Sequence, residues 1–261
     1  MRILWQGFVD PAVHSPYVDR LTAYLPRLGD PGTEFEFRGL KPPDRFLHRI
    51  TETRCAVQAV AGVIEAEREG FDAVIVGHFQ DSGLWEARSA VEIPVVGLGE
   101  SSMLHACTLG RRIGLITISP AFISWHEEQV IDYGLGDRVV GVRAMDTDVD
   151  LYMRAFEEPD AYAEVRRQFV EQARPLVDRA VEVIIPAGGL PALLFSDERG
   201  FEIDGAVVLN PTPVAARQAQ TAVQLRELND TAPSRRSTFA LPSDDARREY
   251  LEQVGGHVSV P

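Results

Sequence analysis

Short apolar runs alternate with longer helical stretches along most of the chain, and this pattern constrains the fold more than any other feature. Most of the runs are continuously apolar, as in strands that are buried on both faces of a parallel sheet. The predicted strands are Ile3–Phe8, Glu34–Arg38, Ala73–His78, Pro94–Leu98, Ile113–Ile118, Val139–Ala144, Glu182–Ala187 and Ala206–Leu209. The predicted helices are Ser15–Arg27, Asp44–Glu69, Glu100–Leu109, Pro120–Tyr133, Glu157–Val181 and Val214–Leu228. Strands that alternate with helices predict an α/β fold.

The eight predicted strands divide evenly between the two halves of the chain, which predicts two pseudo-symmetric lobes. Each lobe is expected to be a mostly parallel sheet of about four strands flanked by helices. We expect residues 1–98 plus 212–261 to form the first lobe and residues 99–211 the second. The tail from Asn229 onward includes a short charged helix over residues 244–254. It is either an arm that docks on a neighbouring subunit or a loosely attached terminus.

The clearest predicted helix, Asp44–Glu69, carries apolar residues at helical spacing along one face. Asp44 follows two prolines and is a suitable start, and Gly70 is a suitable stop. The predicted apolar stripe consists of Phe46, Ile50, Val57, Val60 and Ile64.

Composition excludes several classes of function. The chain has 26 basic and 39 acidic residues, and its net charge of −13 opposes nucleic-acid binding. No apolar run approaches the roughly 18 residues of a membrane-spanning helix, and no signal peptide is visible. Cys55 and Cys107 form neither a disulfide framework nor a metal knuckle. We therefore expect a cytoplasmic protein without nucleic-acid or membrane partners.

Ligands of open parallel sheets bind beyond the carboxyl ends of the strands, and this rule nominates four segments. Two of these segments, Gly77–Gly83 and Ala187–Gly189, lie at corresponding places in the two halves. Each follows an apolar strand and contains glycines, which allow the backbone to approach a ligand closely. Their N–H groups suit a carboxylate or enolate oxygen. The four segments are Gln6–Phe8, Gly77–Gly83, Thr117–Ser119 and Ala187–Gly189.

The segment Gly77–Leu84, together with Glu86–Arg88, Ile93–Glu100 and Met103, resembles the aspartate/glutamate/hydantoin racemase superfamily. The similarity is greatest to the hydantoin racemase branch and covers most of residues 1–228. The resemblance implies a two-lobed α/β enzyme without a cofactor, with its active site in the cleft between the lobes. It also implies a homodimer or homotetramer. In that family, one thiol from each lobe flanks an acidic carbon of the substrate; one removes a proton and the other delivers one to the opposite face.

The chain departs from this family pattern at both catalytic positions. His78 stands where the family has its first cysteine, and Ala187 stands where it has the second. Neither Cys55 nor Cys107 lies at a strand end. Cys55 is expected off the apolar stripe of its helix, and Cys107 in a small-residue helix behind the sheet.

An imidazole with a pKa near 6.5 is a serviceable base at neutral pH, but Ala187 has no group that exchanges protons. The pattern therefore favours one-sided proton transfer at a carbon next to a carbonyl, on a small carboxylate or a hydantoin-like cyclic amide. One alternative is a lyase (decarboxylase or hydratase) or ring-opening hydrolase that uses His78 as acid/base. Another is an inactive binding protein, and His78 itself also has a purely structural interpretation.

Further residues join His78 in the predicted site. Asp81 either orients the imidazole or caps the following helix. Thr117 and Ser119 either bind a substrate carboxylate, as the resemblance implies, or form a turn. The substrate-binding candidates are Gln6, Phe8, Phe79, Ser82, Gly83, Thr117, Ser119, Ala187, Gly188, Gly189 and Asn210.

A metal or nucleotide cofactor is not expected. The possible ligands show no His-x-His or His-x-x-x-His spacing. They are His48, His78, His105 and His126 with Glu127. No nucleophile elbow is present, and the Ala187–Gly189 turn is too short for a dinucleotide fingerprint.

Overall fold

Two mostly parallel β-sheets organise the chain in a computed structural model that describes residues 1–44 and 46–255. The strands are β1 (Arg2–Gln6), β2 (Glu34–Arg38), β3 (Ala73–Val76), β4 (Val95–Gly97), β5 (Ile113–Thr117), β6 (Val139–Ala144), β7 (Val183–Ala187), β8 (Glu202–Ile203) and β9 (Ala206–Val208). The helices are α1 (Ser15–Tyr24), α2 (Arg49–Arg68), α3 (Leu84–Ala90), α4 (Leu98–Leu109), α5 (Ile123–Asp132), α6 (Val149–Ala155), α7 (Pro159–Val177), α8 (Gly189–Leu194), α9 (Pro211–Asn229) and α10 (Asp244–Gly255). Within the described ranges, no helix is long and apolar enough to cross a bilayer.

The eight predicted strands are all present, and the predicted α/β class is confirmed. The structure adds β8, α3, α6 and α8, which have between 2 and 7 residues. Elements of this length show no clear hydrophobic period, so the sequence pattern did not reveal them.

The chain divides into two units. The first consists of Met1–Val13, Thr22–Gly97 and the described residues from Ala215 onward, and the second consists of His14–Leu21 and Leu98–Val214. The predicted tail helix is present as α10, while residues 256–261 of the predicted first lobe lie outside the described residues.

The first unit contains a four-stranded, fully parallel sheet in the order β2-β1-β3-β4. All four residues of β3 are buried, which explains its continuous apolar sequence. Leu4, Val74 and Val76 pack in one cluster with Ala59 and Val63 of α2. This packing fixes α2 along the face of the sheet and brings its first turn near the carboxyl ends of β1 and β3.

Helix α2 corrects two predictions. It begins at Arg49 rather than at Asp44, whose carboxylate accepts from the backbone N–H groups of Phe46 and Leu47 and so forms a turn instead. The predicted apolar stripe is wrong at three of its five residues, because Phe46 is 69%, Ile50 80% and Val57 37% exposed, and only Val60 and Ile64 are buried. The buried face is made largely of small residues, and it includes Cys55, which was expected off the packed face.

The second unit contains a five-stranded sheet in the order β6-β5-β7-β9-β8. Only the β8–β9 pair is antiparallel. Strands β5 and β7 are completely buried at its centre, and Phe169, Phe195 and Phe201 form an aromatic cluster nearby in the same unit. The sheet thus has a rigid centre at β5 and β7.

The tail packs on the first unit of its own chain, which neither of the two predicted alternatives anticipated. The Arg235 guanidinium donates to the carbonyls of Arg88, in the last turn of α3, and Val91, which follows this helix. In α10, the Tyr250 hydroxyl donates to the carbonyl of Val57 on α2. These contacts hold the tail across α2 and α3.

We expect Arg235→Ala to loosen the tail while leaving the sheet of the first unit intact. Charge-assisted hydrogen bonds of this kind contribute about 1.5–3 kcal/mol. Hydrogen exchange should therefore become faster in residues 230–255 and stay unchanged in β1 and β3. Arg248→Ala is the control, because Arg248 pairs only within its own helix, with Asp245 and Glu252, among its described salt bridges. Equal exchange rates in both variants would contradict this role of Arg235.

Candidate functional site

The strand order of the first sheet creates a place where connections leave in opposite directions. From β1 the chain passes to β2 on one side, and it returns at β3 on the other. Ligands of open α/β sheets bind beyond the carboxyl ends of the strands at such a switch point. Phe8 follows β1 there, and His78 follows β3.

A glycine separates β3 from His78 because the indole of Trp5 fills the space beside it. A Cβ atom on Gly77 would lie 2.0 Å from Trp5 Nε1 and 2.6 Å from its Cδ1. Trp5 itself is only 1% exposed and cannot move aside without disturbing the core. Gly77 therefore allows the backbone that carries His78 to run close to β1.

The His78 ring is held on two sides. It stacks on Phe8 with ring centroids 4.4 Å apart and an interplanar angle of 16°. Its Nδ1 atom lies 3.1 Å from Glu52 Oε1, in the first turn of α2. The His78 side chain remains 20% exposed. The ring is thus fixed in orientation and still accessible in part.

The surroundings of His78 favour its charged form. Burial alone lowers the pKa of the imidazole, but the Glu52 carboxylate acts in the opposite direction, and Asp81 and Asp44 add to its effect. The pKa of His78 therefore lies above its usual value. A group with this property is able to donate a proton near neutral pH as well as to accept one.

The turn after His78 is shaped by Asp81, Ser82 and Gly83. Asp81 is buried and has a positive φ of 53°, and its carboxylate lies where a Cβ on Gly97 would come within 2.6 Å. Helix α3 has Gly83 as its N-cap residue, two positions after Asp81, and the backbone carbonyl of Asp81 accepts from the N–H of Leu84. The Ser82 hydroxyl donates to the Glu52 carboxylate.

Two candidates of the first unit have side chains directed into the interior. The Gln6 amide donates to the carbonyls of Gly7 and Arg38, and the residue is 1% exposed. Phe79 is completely buried. Of the candidates in this unit, Phe8, His78, Asp81 and Ser82 surround the strand ends, while Gln6 and Phe79 stabilise the structure beneath them.

The second sheet has its own switch point, between β5 and β7, where Thr117 is paired with Ala187. The Thr117 hydroxyl lies 3.2 Å from His126 Nε2, and both residues are completely buried. Ser119 caps a short 3₁₀ turn through the N–H of Ala121, as its turn-forming interpretation predicted.

The remaining candidates of the second unit are backbone positions and a helix cap. Ala187 ends β7 and is completely buried, and Gly188 and Gly189 form the turn into α8. The Asn210 side chain accepts from the N–H of Thr212 at the start of α9. The turn at 187–189 therefore offers backbone groups, and Asn210 acts as a cap.

Neither cysteine has the character of an activated thiol. Cys55 is completely buried, and burial raises the pKa of its thiol to about 11. Cys107 lies on α4 with its thiol 3.4 Å from the carbonyl of Met103 in the same helix. Among the described residues, no group of three His, Cys, Asp or Glu side chains is arranged to hold a metal ion.

Glu52, which contacts both His78 and Ser82, was not among the predicted site residues. A helix start predicted at Asp44 placed Glu52 in the third turn, where a carboxylate is usually solvated. In the structure it lies in the first turn of α2, where a negative charge is favoured, and is 8% exposed. No local sequence signal would have moved the predicted start, because Asp44 has the residue type of a helix cap and its turn is seen only in the structure.

Comparisons with known proteins agree with this architecture. Residues 7–219 match the family model described as Asp/Glu/hydantoin racemase. A hydantoin racemase from Pseudomonas sp. (strain NS671) is 29% identical over 197 residues, which cover 74% of each chain. One from Rhizobium meliloti is 27% identical over 183 residues, which cover 70% of this chain and 71% of that one.

Solved structures show the same fold. The allantoin racemase from Pseudomonas fluorescens superimposes with a TM-score of 0.77 at 22% identity, over 93% of this chain and 97% of that one. The allantoin racemase from Klebsiella pneumoniae gives a TM-score of 0.76 at 20% identity, over 94% of each chain. With the family match spanning most of its length, the chain belongs to the Asp/Glu/hydantoin racemase family and is an enzyme of the racemase superfamily.

Proposed function

We propose that this enzyme transfers a proton at a carbon next to a carbonyl in a small carboxylate or a hydantoin-like cyclic amide, with His78 as the acid/base. The observation that carries the proposal is the His78 ring at the switch point of the first sheet, stacked on Phe8 and paired with Glu52. The relatives named hydantoin racemase support a cyclic amide as substrate. In such a ring, a carbonyl next to the reacting carbon makes its C–H bond acidic.

The proposed reaction is one-sided. His78 exchanges a proton with one face of the reacting carbon, while Ala187, at the end of β7, has no group that exchanges a second one. Backbone N–H groups of the turn at 82–83 are the proposed contacts for a carboxylate or enolate oxygen. We do not assign that role to the Thr117 hydroxyl, because its side chain is buried against His126.

The reaction class is tested by incubating the enzyme with 5-substituted hydantoins and substituted malonates in heavy water. We expect deuterium at the reacting carbon of a recovered substrate of otherwise unchanged mass. After exchangeable deuterium is removed in ordinary water, a net loss of about 43 mass units (CO2 lost, one carbon-bound deuterium gained) would instead identify a decarboxylase, and a net gain of about 18 a ring-opening hydrolase. Absence of both exchange and turnover across the panel would contradict the proposed proton transfer.

A further inference from the structure

A buried carboxylate, an imidazole and a hydroxyl from three different segments meet beside the strand ends of the first unit. Glu52 comes from α2, His78 follows β3, and Ser82 precedes α3. Both His78 Nδ1 and the Ser82 hydroxyl contact the same oxygen, Oε1 of Glu52. The Ser82 hydroxyl can only donate to a carboxylate oxygen, so it fixes that atom in place beside the ring.

The accessible part of the His78 ring lies away from this contact. Nδ1 has almost no exposed surface, and Phe8 covers one face of the ring, yet the side chain as a whole is 20% exposed. The nitrogen that remains for an incoming molecule is therefore Nε2. In neutral histidine, one ring nitrogen carries a proton and the other can accept one. The group that contacts one nitrogen determines which of the two is protonated.

We propose that Glu52 is a positioning residue for His78: its carboxylate accepts from Nδ1–H, so that Nε2 is the nitrogen that exchanges a proton with the substrate. This inference rests on the proposed function for its catalytic meaning, but not for its geometry. In the forward step the substrate C–H bond breaks, its electron pair moves to the neighbouring carbonyl as an enolate, and the proton goes to Nε2. The resulting imidazolium keeps Nδ1–H directed at Glu52, and reprotonation of the carbon reverses each movement.

Three carboxylates around the His78 ring all raise the pKa of its imidazole. Glu52 faces it from α2, Asp44 lies in the turn before α2, and Asp81 lies in its own turn. All three stabilise the imidazolium, against the effect of burial. Glu52 has the largest effect of the three, so replacing it with a neutral amide of similar shape removes most of the stabilisation.

The test is ¹⁵N NMR of the histidine rings in the full chain, with the His78 signals identified by their loss in His78→Asn. In the wild type we expect the neutral form of His78 to carry its proton on Nδ1, and its pKa to lie above 6.5, the value of an unperturbed histidine. Glu52→Gln should lower that pKa and give a mixture of both protonated forms. Glu52→Asp, which keeps the charge, should retain a raised pKa.

The matched control is Glu86→Gln, because Glu86 is an exposed carboxylate in the first turn of α3 and does not contact His78. Its histidine spectrum and activity should equal those of the wild type. Glu52→Gln should lower kcat by about 10- to 100-fold, in the range typical of residues that orient a functional histidine, with a smaller change in KM.

Two results would overturn the inference: a wild-type His78 protonated on Nε2 in its neutral form, or a pKa unchanged by Glu52→Gln. Both results come from NMR and do not require turnover. The proposed reaction is tested separately: full activity of His78→Asn would contradict it. If Glu52→Gln does not fold, Ser82→Ala gives the second test. In Ser82→Ala, Glu52 Oε1 no longer accepts from a hydroxyl, so its charge acts more fully on His78. The pKa of His78 should therefore rise above its wild-type value, and an unchanged pKa would count against the inference.

Discussion

Replacing His78 with asparagine should lower kcat/KM for proton exchange at the reacting carbon by about 10²- to 10⁴-fold, the usual contribution of a general acid/base. Asparagine is close to the imidazole in size and still packs on Phe8, but it does not exchange protons near neutral pH. The rate is best followed as deuterium exchange at carbon 5 of a 5-substituted hydantoin, because this signal appears even when the substrate undergoes no net reaction.

A suitable control for His78→Asn is His105→Asn. His105 is exposed on α4 in the second unit, so the same chemical change there should leave the rate within about twofold of the wild type. Equal rates for His78→Asn and the wild type would show that another group carries the proton. Equal losses in both variants would point to a general effect on stability instead.

Adding one methyl group at Gly77 should have the second large effect. An alanine Cβ would lie 2.0 Å from Trp5 Nε1, well inside contact distance, and the buried indole has no free space to enter. Overpacking of this kind lowers the free energy of unfolding by about 1–3 kcal/mol. Because residue 77 directly precedes His78, displacement of the backbone by about 1 Å should also reduce the rate by roughly 100-fold.

Gly136→Ala is the matched control for Gly77→Ala, since a Cβ there meets nothing within 4 Å. Its free energy of unfolding should stay within about 0.5 kcal/mol of the wild type. The double variant Trp5→Phe with Gly77→Ala should recover part of the lost rate, because the smaller ring leaves room for the methyl group. Identical stability of Gly77→Ala and Gly136→Ala would contradict the close packing of Trp5 against β3.

The sheet architecture could be predicted because its strands are short, continuously apolar and separated by helices. In β3, for example, four consecutive buried residues leave no polar face, which is typical of a central parallel strand. The boundaries of the helices were harder to predict from the sequence. Asp44 has the residue type of a helix cap, but its carboxylate instead forms a turn with Phe46 and Leu47, and this choice depends on tertiary packing.

The strand-end rule located His78 and Phe8 but could not supply Glu52. The positions of His78 and Phe8 follow from the ends of β3 and β1. Glu52 instead comes from α2, and its position depends on how buried residues such as Ala59 pack this helix on the sheet. Similarly, nothing local in the sequence shows that Thr117 would be buried against His126, nine residues later. Contacts between elements of this kind arise only from the packed structure.

The central claim is that His78 exchanges a proton with one face of the substrate carbon. Its most direct test is to incubate each enantiomer of a 5-substituted hydantoin separately in heavy water and to measure deuterium content and optical purity together. We expect one enantiomer to take up deuterium at carbon 5 far faster than the other, with retention of configuration and with loss of the uptake in His78→Asn. Equal uptake by both enantiomers with full racemisation, or uptake that His78→Asn leaves unchanged, would contradict the claim.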